Sequence, residues 1–159
     1  MGAEGELRIR GPQLLTAYTD AERNREQLDS EGWFYPGDIG MVDGEGWVRM
    51  SGRIKDIINR GGEKFSALDI ESAIASHPDV AAVAVAAVPD ERLGEAVGAW
   101  IVLAPGVPWH GPDRLIEHLE TVRLARQKIP ARWTVVPSLP TTASGKVQKN
   151  KLAAWDRPG

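Results

Sequence analysis

The patterning of apolar residues changes near residue 53. Upstream, short apolar runs alternate with turn signals, and no run is long enough for a large helix. Leu7 and Ile9 alternate with Arg8 and Arg10, the period of a half-buried strand. Trp33-Phe34-Tyr35, Met41-Val42 and Trp47-Val48-Arg49-Met50 read as further strands. Pro36-Gly37 and Asp43-Gly44-Glu45-Gly46 separate them, and the second predicts a hairpin. One polar stretch, Asp20 to Leu28, permits a helix with Asp20 as its N-cap.

Downstream, strand and helix periods mix. Ile54, Ile57 and Ile58 lead into the tight turn Gly61-Gly62. Ile70, Ala73 and Ile74 have helical spacing, with Ser66 as the expected N-cap and Pro78 as the stop. Two apolar β runs follow, from Val80 to Val88 and from Ala96 to Leu103. Gly111-Pro112-Asp113 opens a helix bearing Leu115, Ile116, Leu119 and Val122. A short strand at Trp133 to Val136, a polar loop at Thr141 to Gly145 and a last short helix around Leu152 complete the chain. The expected class is α+β: a β-rich part over residues 1–52, a connector at 53–56, and a small domain over 57–159, about 100 residues and within the usual domain range.

Composition removes several functions. There is no cysteine, which excludes disulfides, thiolate metal sites and cysteine nucleophiles and fits a reducing cytoplasm. His77, His110 and His118 form no His-x-x-x-His pair, so no metal site is expected. His77, just before Pro78, reads as structural. A net charge of −3 gives no general attraction to nucleic acid. No apolar run approaches the ~18–20 residues of a membrane helix. Residues 1–10 show no signal-peptide core. Trp33, Trp47, Trp100 and Trp133 fall in strand patterns and read as core or interface.

Three segments carry candidate chemistry. In Gly32-Trp33-Phe34-Tyr35-Pro36-Gly37-Asp38, the carboxylate of Asp38 follows a glycine turn. Its two oxygens could accept from two vicinal hydroxyls, or it could cap the turn. Residues 52–71 combine Arg53, Lys55 and Asp56 with Gly61-Gly62, where the backbone can turn tightly or approach a ligand. In Leu139-Pro140-Thr141-Thr142-Ala143-Ser144-Gly145-Lys146-Val147-Gln148-Lys149, the lysine after Ser-Gly, Lys146, could reach a phosphate as a point charge, or be part of a solvated basic loop. The segment is not a Walker A loop, because Val147 stands where Ser or Thr would follow the lysine.

In this order and spacing, the three segments resemble the adenylate-forming ligases: acyl-CoA synthetases, aryl-acid AMP ligases and peptide-synthetase adenylation domains. The resemblance covers nearly the whole chain. Gly5-Glu6-Leu7-Arg8-Ile9-Arg10-Gly11-Pro12, His77-Pro78-Asp79-Val80, Asp90 with Gly94-Glu95, and Gln127-Lys128-Ile129-Pro130 add to it. Two residues depart from the family pattern. Pro36 replaces a Thr or Ser beside Asp38, and Gln127 replaces an aromatic.

The resemblance implies roles. Asp38 is similar to the Asp that binds the ATP ribose, and Arg53 to the Arg at the ribose and phosphates. Lys55 resembles the hinge residue about which a C-terminal lid rotates between half-reactions. Gly61 and Gly62 resemble the turn beside the CoA pantetheine. Lys146 resembles the catalytic lysine of adenylation. Residues 1–52 would end a large N-terminal adenylation domain whose phosphate loop, adenine slot and acid pocket have no counterpart here, and residues 57–159 would form the lid. The implied reaction joins a fatty or other carboxylic acid to CoA through acyl-AMP, using ATP and Mg2+. The alternatives are an aryl-acid AMP ligase delivering to carrier-protein phosphopantetheine, and a non-catalytic interaction module. The chain by itself is expected to be inactive, and either to dimerise through exposed N-terminal strands bearing Leu7, Ile9, Phe34 and Trp47 or to have a poorly ordered N-terminal segment.

Overall fold

The computed structural model describes residues 2–156. The chain divides into two compact units, Met1–Lys55 and Asp56–Gly159.

The first unit holds β1 (Gly5–Glu6), α1 (Ala21–Gln27), β2 (Asp38–Val42) and β3 (Val48–Arg53), the strands forming an antiparallel sheet in the order β1-β2-β3. Asp20 starts α1 as expected, its side chain accepting from the N–H of Glu22 at 2.9 Å and of Arg23 at 3.4 Å. The β2–β3 hairpin forms at the expected turn. Asp43 Oδ1 accepts from the N–H of Glu45 and of Trp47, and Gly46 takes the left-handed φ of +88°. This hairpin sets Asp38 opposite Arg53.

The expected strand at Trp33–Tyr35 does not form. Phe34 makes single bridges to Ile9 and Leu28 instead. Gly32 and Gly37 flank this stretch at φ +77° and +75°, and Asp29 draws in the N–H groups of Glu31 and Trp33, so too little extended chain remains for a ladder. The Leu7–Ile9 strand is likewise reduced to β1 and the one bridge at Ile9. Among the described residues of this unit no large side chain is buried: Trp47 is 73% exposed and Ile9 50%, while Leu7 and Phe34 are half-buried. Trp33 lies instead against guanidinium groups, with the Cζ atoms of Arg8 and Arg10 at 4.3 and 4.5 Å from its ring.

The second unit holds β4 (Ile57–Arg60), β5 (Glu63–Ser66), α2 (Ala67–Ala75), β6 (Val80–Asp90), β7 (Gly94–Leu103), α3 (Asp113–Thr121) and β8 (Arg132–Val135), then a 3-10 segment at Lys149–Asp156. The sheet order is β5-β4-β7-β6, with β8 parallel to β7. The unit is a small α+β domain. Strands β6 and β7 are nearly continuous apolar runs because both faces are covered. Val85, Val97 and Ala99 meet Ile70 and Ile74 of α2 and Leu119 of α3 on one face. Ala84, Val88, Ala96 and Trp100 meet Val136 and Leu152 on the other.

Strand β5 was not foreseen, because half of its four residues are exposed charges, Glu63 and Lys64. Ser66 occupies the N-cap position of α2, yet its side chain makes no capping hydrogen bond. Of the four tryptophans read as core or interface, only Trp100 is fully buried, Trp33 and Trp133 are half-buried, and Trp47 is a surface residue.

His77 is structural in its contacts. It is 8% exposed, its Nδ1 accepts the N–H of Asp79 at 3.1 Å, and its ring meets His118 edge-on at 5.0 Å. His118 Nε2 in turn lies 2.7 Å from Ser76 Oγ, linking the end of α2 to α3. Burial chiefly lowers the His77 pKa below the ordinary 6.5; the His118 and Arg114 charges add to this and Asp79 opposes it. The folded state therefore favours the neutral ring. Its contribution to stability is present above pH 6.5 and is lost as pH falls through the lowered value, where the unfolded chain binds the extra proton. Urea midpoints are expected to fall between pH 8 and pH 5, and to fall less in His77→Gln. Equal falls in the two proteins would refute the assignment.

Candidate functional site

In the first unit, the β2–β3 register brings two candidate residues together. Arg53 Nε lies 2.7 Å from Asp38 Oδ1, with side chains 45% and 18% exposed. Oδ1 is enclosed and takes no aligned hydrogen bond among the described residues, so charge carries the contact. Gly37, at φ +75°, turns the chain into β2 just before Asp38, and its carbonyl accepts the N–H of Ile54 at 2.8 Å. A carboxylate engaged through one oxygen keeps acceptor capacity on the other, and a guanidinium engaged through Nε keeps outward N–H donors. The pair thus offers acceptors and donors side by side, a set suited to a hydroxylated anion. Lys55 follows in the 3-10 turn Ile54–Asp56 and is exposed.

In the second unit, Gly61 and Gly62 form the β4–β5 turn at φ +60° and +91°. The turn alone demands both glycines. Gly61 N–H also bonds Leu93 O at 2.9 Å, and a Cβ there would stand 3.1 Å from Leu93 Cδ2.

Lys146 lies on a closely tied loop. Thr141 and Val147 bridge its base. Thr142 N–H bonds Lys146 O at 2.8 Å, Gly145 N–H bonds Thr142 O at 2.9 Å, and Thr142 Oγ1 accepts Lys146 N–H at 3.1 Å. Gly145 takes φ +81° to make the turn. The Lys146 side chain is exposed, and no ion pair among the described residues involves it. A rigid backbone therefore presents a mobile point charge.

Sequence reasoning passed over a neighbour. Lys149 Nζ lies 2.7 Å from Glu71 Oε1 and 3.6 Å from Asp56 Oδ2. All three residues fall within the two segments singled out at 52–71 and 139–149, and the missing signal was their pairing. Among the described residues no group of His, Asp and Glu could hold a metal ion, and no helix is long and apolar enough to cross a membrane.

Residues 69–146 match the family model of the AMP-binding enzyme C-terminal domain. The chain is 40% identical over 151 residues to the medium-chain fatty-acid–CoA ligase of Escherichia coli (strain K12), covering 93% of this chain and 26% of that protein. It superposes on o-succinylbenzoate CoA synthetase from Bacillus subtilis, solved with its acyl-adenylate intermediate, with a TM-score of 0.84 and 33% identity over 94% of this chain and 30% of that one. It also superposes on the amide bond synthetase from Marinactinospora thermotolerans, with a TM-score of 0.86 and 35% identity over 98% of this chain and 32% of that one. The chain thus spans about a quarter to a third of the length of these relatives.

Proposed function

The chain belongs to the adenylate-forming superfamily and carries its C-terminal domain, and from that premise we propose that the protein carrying it is an AMP-forming acyl-CoA ligase. In this reading, residues 1–52 end the large adenylation domain, 53–56 form the hinge and 57–159 form the lid. ATP with Mg2+ and a fatty or other carboxylic acid give acyl-AMP and pyrophosphate. The lid then rotates about Lys55, and the CoA thiol attacks the acyl carbon, forming the thioester and releasing AMP. A reducing cytoplasm is the proposed compartment.

The observation that carries the reading is Lys146: an exposed ammonium with no ion-pair partner among the described residues, on a loop held by its own hydrogen bonds. Charge concentrates on the α-phosphate oxygens as the acid attacks, and a lysine placed there stabilises that state more than the ground state. Asp38 and Arg53 hold the ribose and phosphates, and Gly61 and Gly62 flank the pantetheine. A second reading changes only the acceptor. The likeness to an amide bond synthetase favours keeping it open, so that a carrier-protein phosphopantetheine or another nucleophile would replace CoA. The exposed Ile9 and Trp47 support pairing of two copies when the chain stands alone.

The 159-residue chain by itself is expected to bind ATP-Mg no tighter than about millimolar, because few polar groups and little apolar surface meet the nucleotide. It should release no pyrophosphate with a panel of carboxylic acids, whereas the longer ligase should. Micromolar binding by calorimetry, or steady turnover by the chain alone, would sink this assignment.

A further inference from the structure

Lys146 projects from a loop whose apolar side is well fixed. Leu139 and Val147 pack against the cluster of Trp100, Val136 and Leu152, and Leu152 is fully buried. This packing holds the loop down against the sheet but supplies no polar contact. That contact comes from Lys149, the first residue of the 3-10 segment after the loop.

The Lys149 side chain is 22% exposed, between Glu71 and Asp56, which are 19% and 31% exposed. Glu71 cannot drift. Its Oε1 also accepts the N–H of Val85 at 2.7 Å, and its helix is anchored by the fully buried Ile70 and Ile74. Val85 lies on β6, an edge strand of the sheet, so one carboxylate both satisfies an edge N–H and receives the ammonium. Asp56, directly after Lys55 in the chain, supplies the second charge. Partly buried, charge-assisted contacts of this kind are stronger than those of solvated surface pairs.

We propose that Lys149 is a positioning residue: clamped by Glu71 and Asp56, it fixes the loop that presents Lys146. This rests on reading Lys146 as the lysine at the reacting phosphate. The clamp itself can be tested without that reading. Amide exchange by NMR on the 159-residue chain should show the amides of Thr142, Gly145, Lys146 and Gln148 exchanging roughly tenfold faster in Lys149→Met, with those of β7 unchanged. Glu71→Gln should act in the same direction, and Lys149→Arg should restore the slow rates. An unchanged loop in Lys149→Met, or a uniform rise across the whole unit, would overturn the proposal. If Lys149→Met does not fold, Asp56→Asn keeps the Glu71 contact and should give a smaller rise confined to the loop; its absence would also overturn it. In the longer ligase, Lys149→Met should lower kcat for pyrophosphate release with little change in KM for ATP, and Lys149→Arg should recover it. Should Lys146→Ala leave that rate untouched, the role of Lys146 fails, while the exchange data still decide the clamp.

Discussion

Replacing Lys146 by Ala is expected to slow pyrophosphate release by the proposed ligase roughly a hundred- to thousandfold, the loss typical of one preorganised charge aimed at a developing oxyanion. Thioester formation from supplied acyl-AMP should stay near its normal rate, because the proposed rotation about Lys55 takes the lysine away before the thiol attacks. The fold gives a reason to expect a clean separation. The side chain is exposed and makes no ion pair among the described residues, while the loop's hydrogen bonds use backbone atoms and Thr142. Truncating it should leave the loop and the core as they are. Single-turnover assays of the two half-reactions, with a melting curve as control, test this. Equal slowing of both steps would remove Lys146 from its proposed role.

The local parts of this fold were legible in the sequence, because short-range chemistry determines them. Asp20 caps α1 with N–H groups two and three residues on, and Asp43 folds the β2–β3 turn with its own neighbours. The apolar runs of β6 and β7 needed only their composition. Elements that depend on distant partners were not legible. Strand β5 forms because Ile57–Arg60 pairs with it and Phe65 is buried, although its outer residues are charged. Trp33–Tyr35 has strand composition but fails as a strand because the flanking glycines and Asp29 turn the chain.

The candidate site divides in the same way. Asp38 and Arg53 were each visible as residue types after a turn, but their ion pair follows from hairpin register. Lys146 stood out by its Ser-Gly context. Lys149 did not, since a lysine near a chain's end reads as solvated until Glu71 and Asp56 are seen beside it.

The largest stability effect is expected at Trp100. Its indole is 1% exposed and lies against Gly98, where an added Cβ would stand 2.6 Å from Val88 Cγ1 and 3.1 Å from Trp100 Cη2. A glycine in mid-strand normally weakens a sheet; here it is the notch that receives the ring. Trp100→Ala should cost about 3–5 kcal/mol, the usual range for emptying a large aromatic site. Nε1 has no hydrogen-bond partner among the described residues, so losing the indole also removes a desolvated N–H, which favours the lower end of that range. Gly98→Ala should cost about 1–3 kcal/mol by overpacking. The two should not add. With the ring gone, a methyl at position 98 enters the vacated space, and Val88, contacted only at its Cγ1 tip, can shift into it as well. The double variant is therefore expected to be more stable than the sum of the single losses implies. Urea unfolding followed by far-ultraviolet circular dichroism gives all three values. Additive losses, or a Trp100→Ala cost below about 1 kcal/mol, would contradict this packing. The consequence reaches the candidate site, because Leu139, Val147 and Leu152, which flank the Lys146 loop, pack in the same cluster as Trp100. A cavity there should loosen the loop from its apolar side, as removing Lys149 should from its polar side.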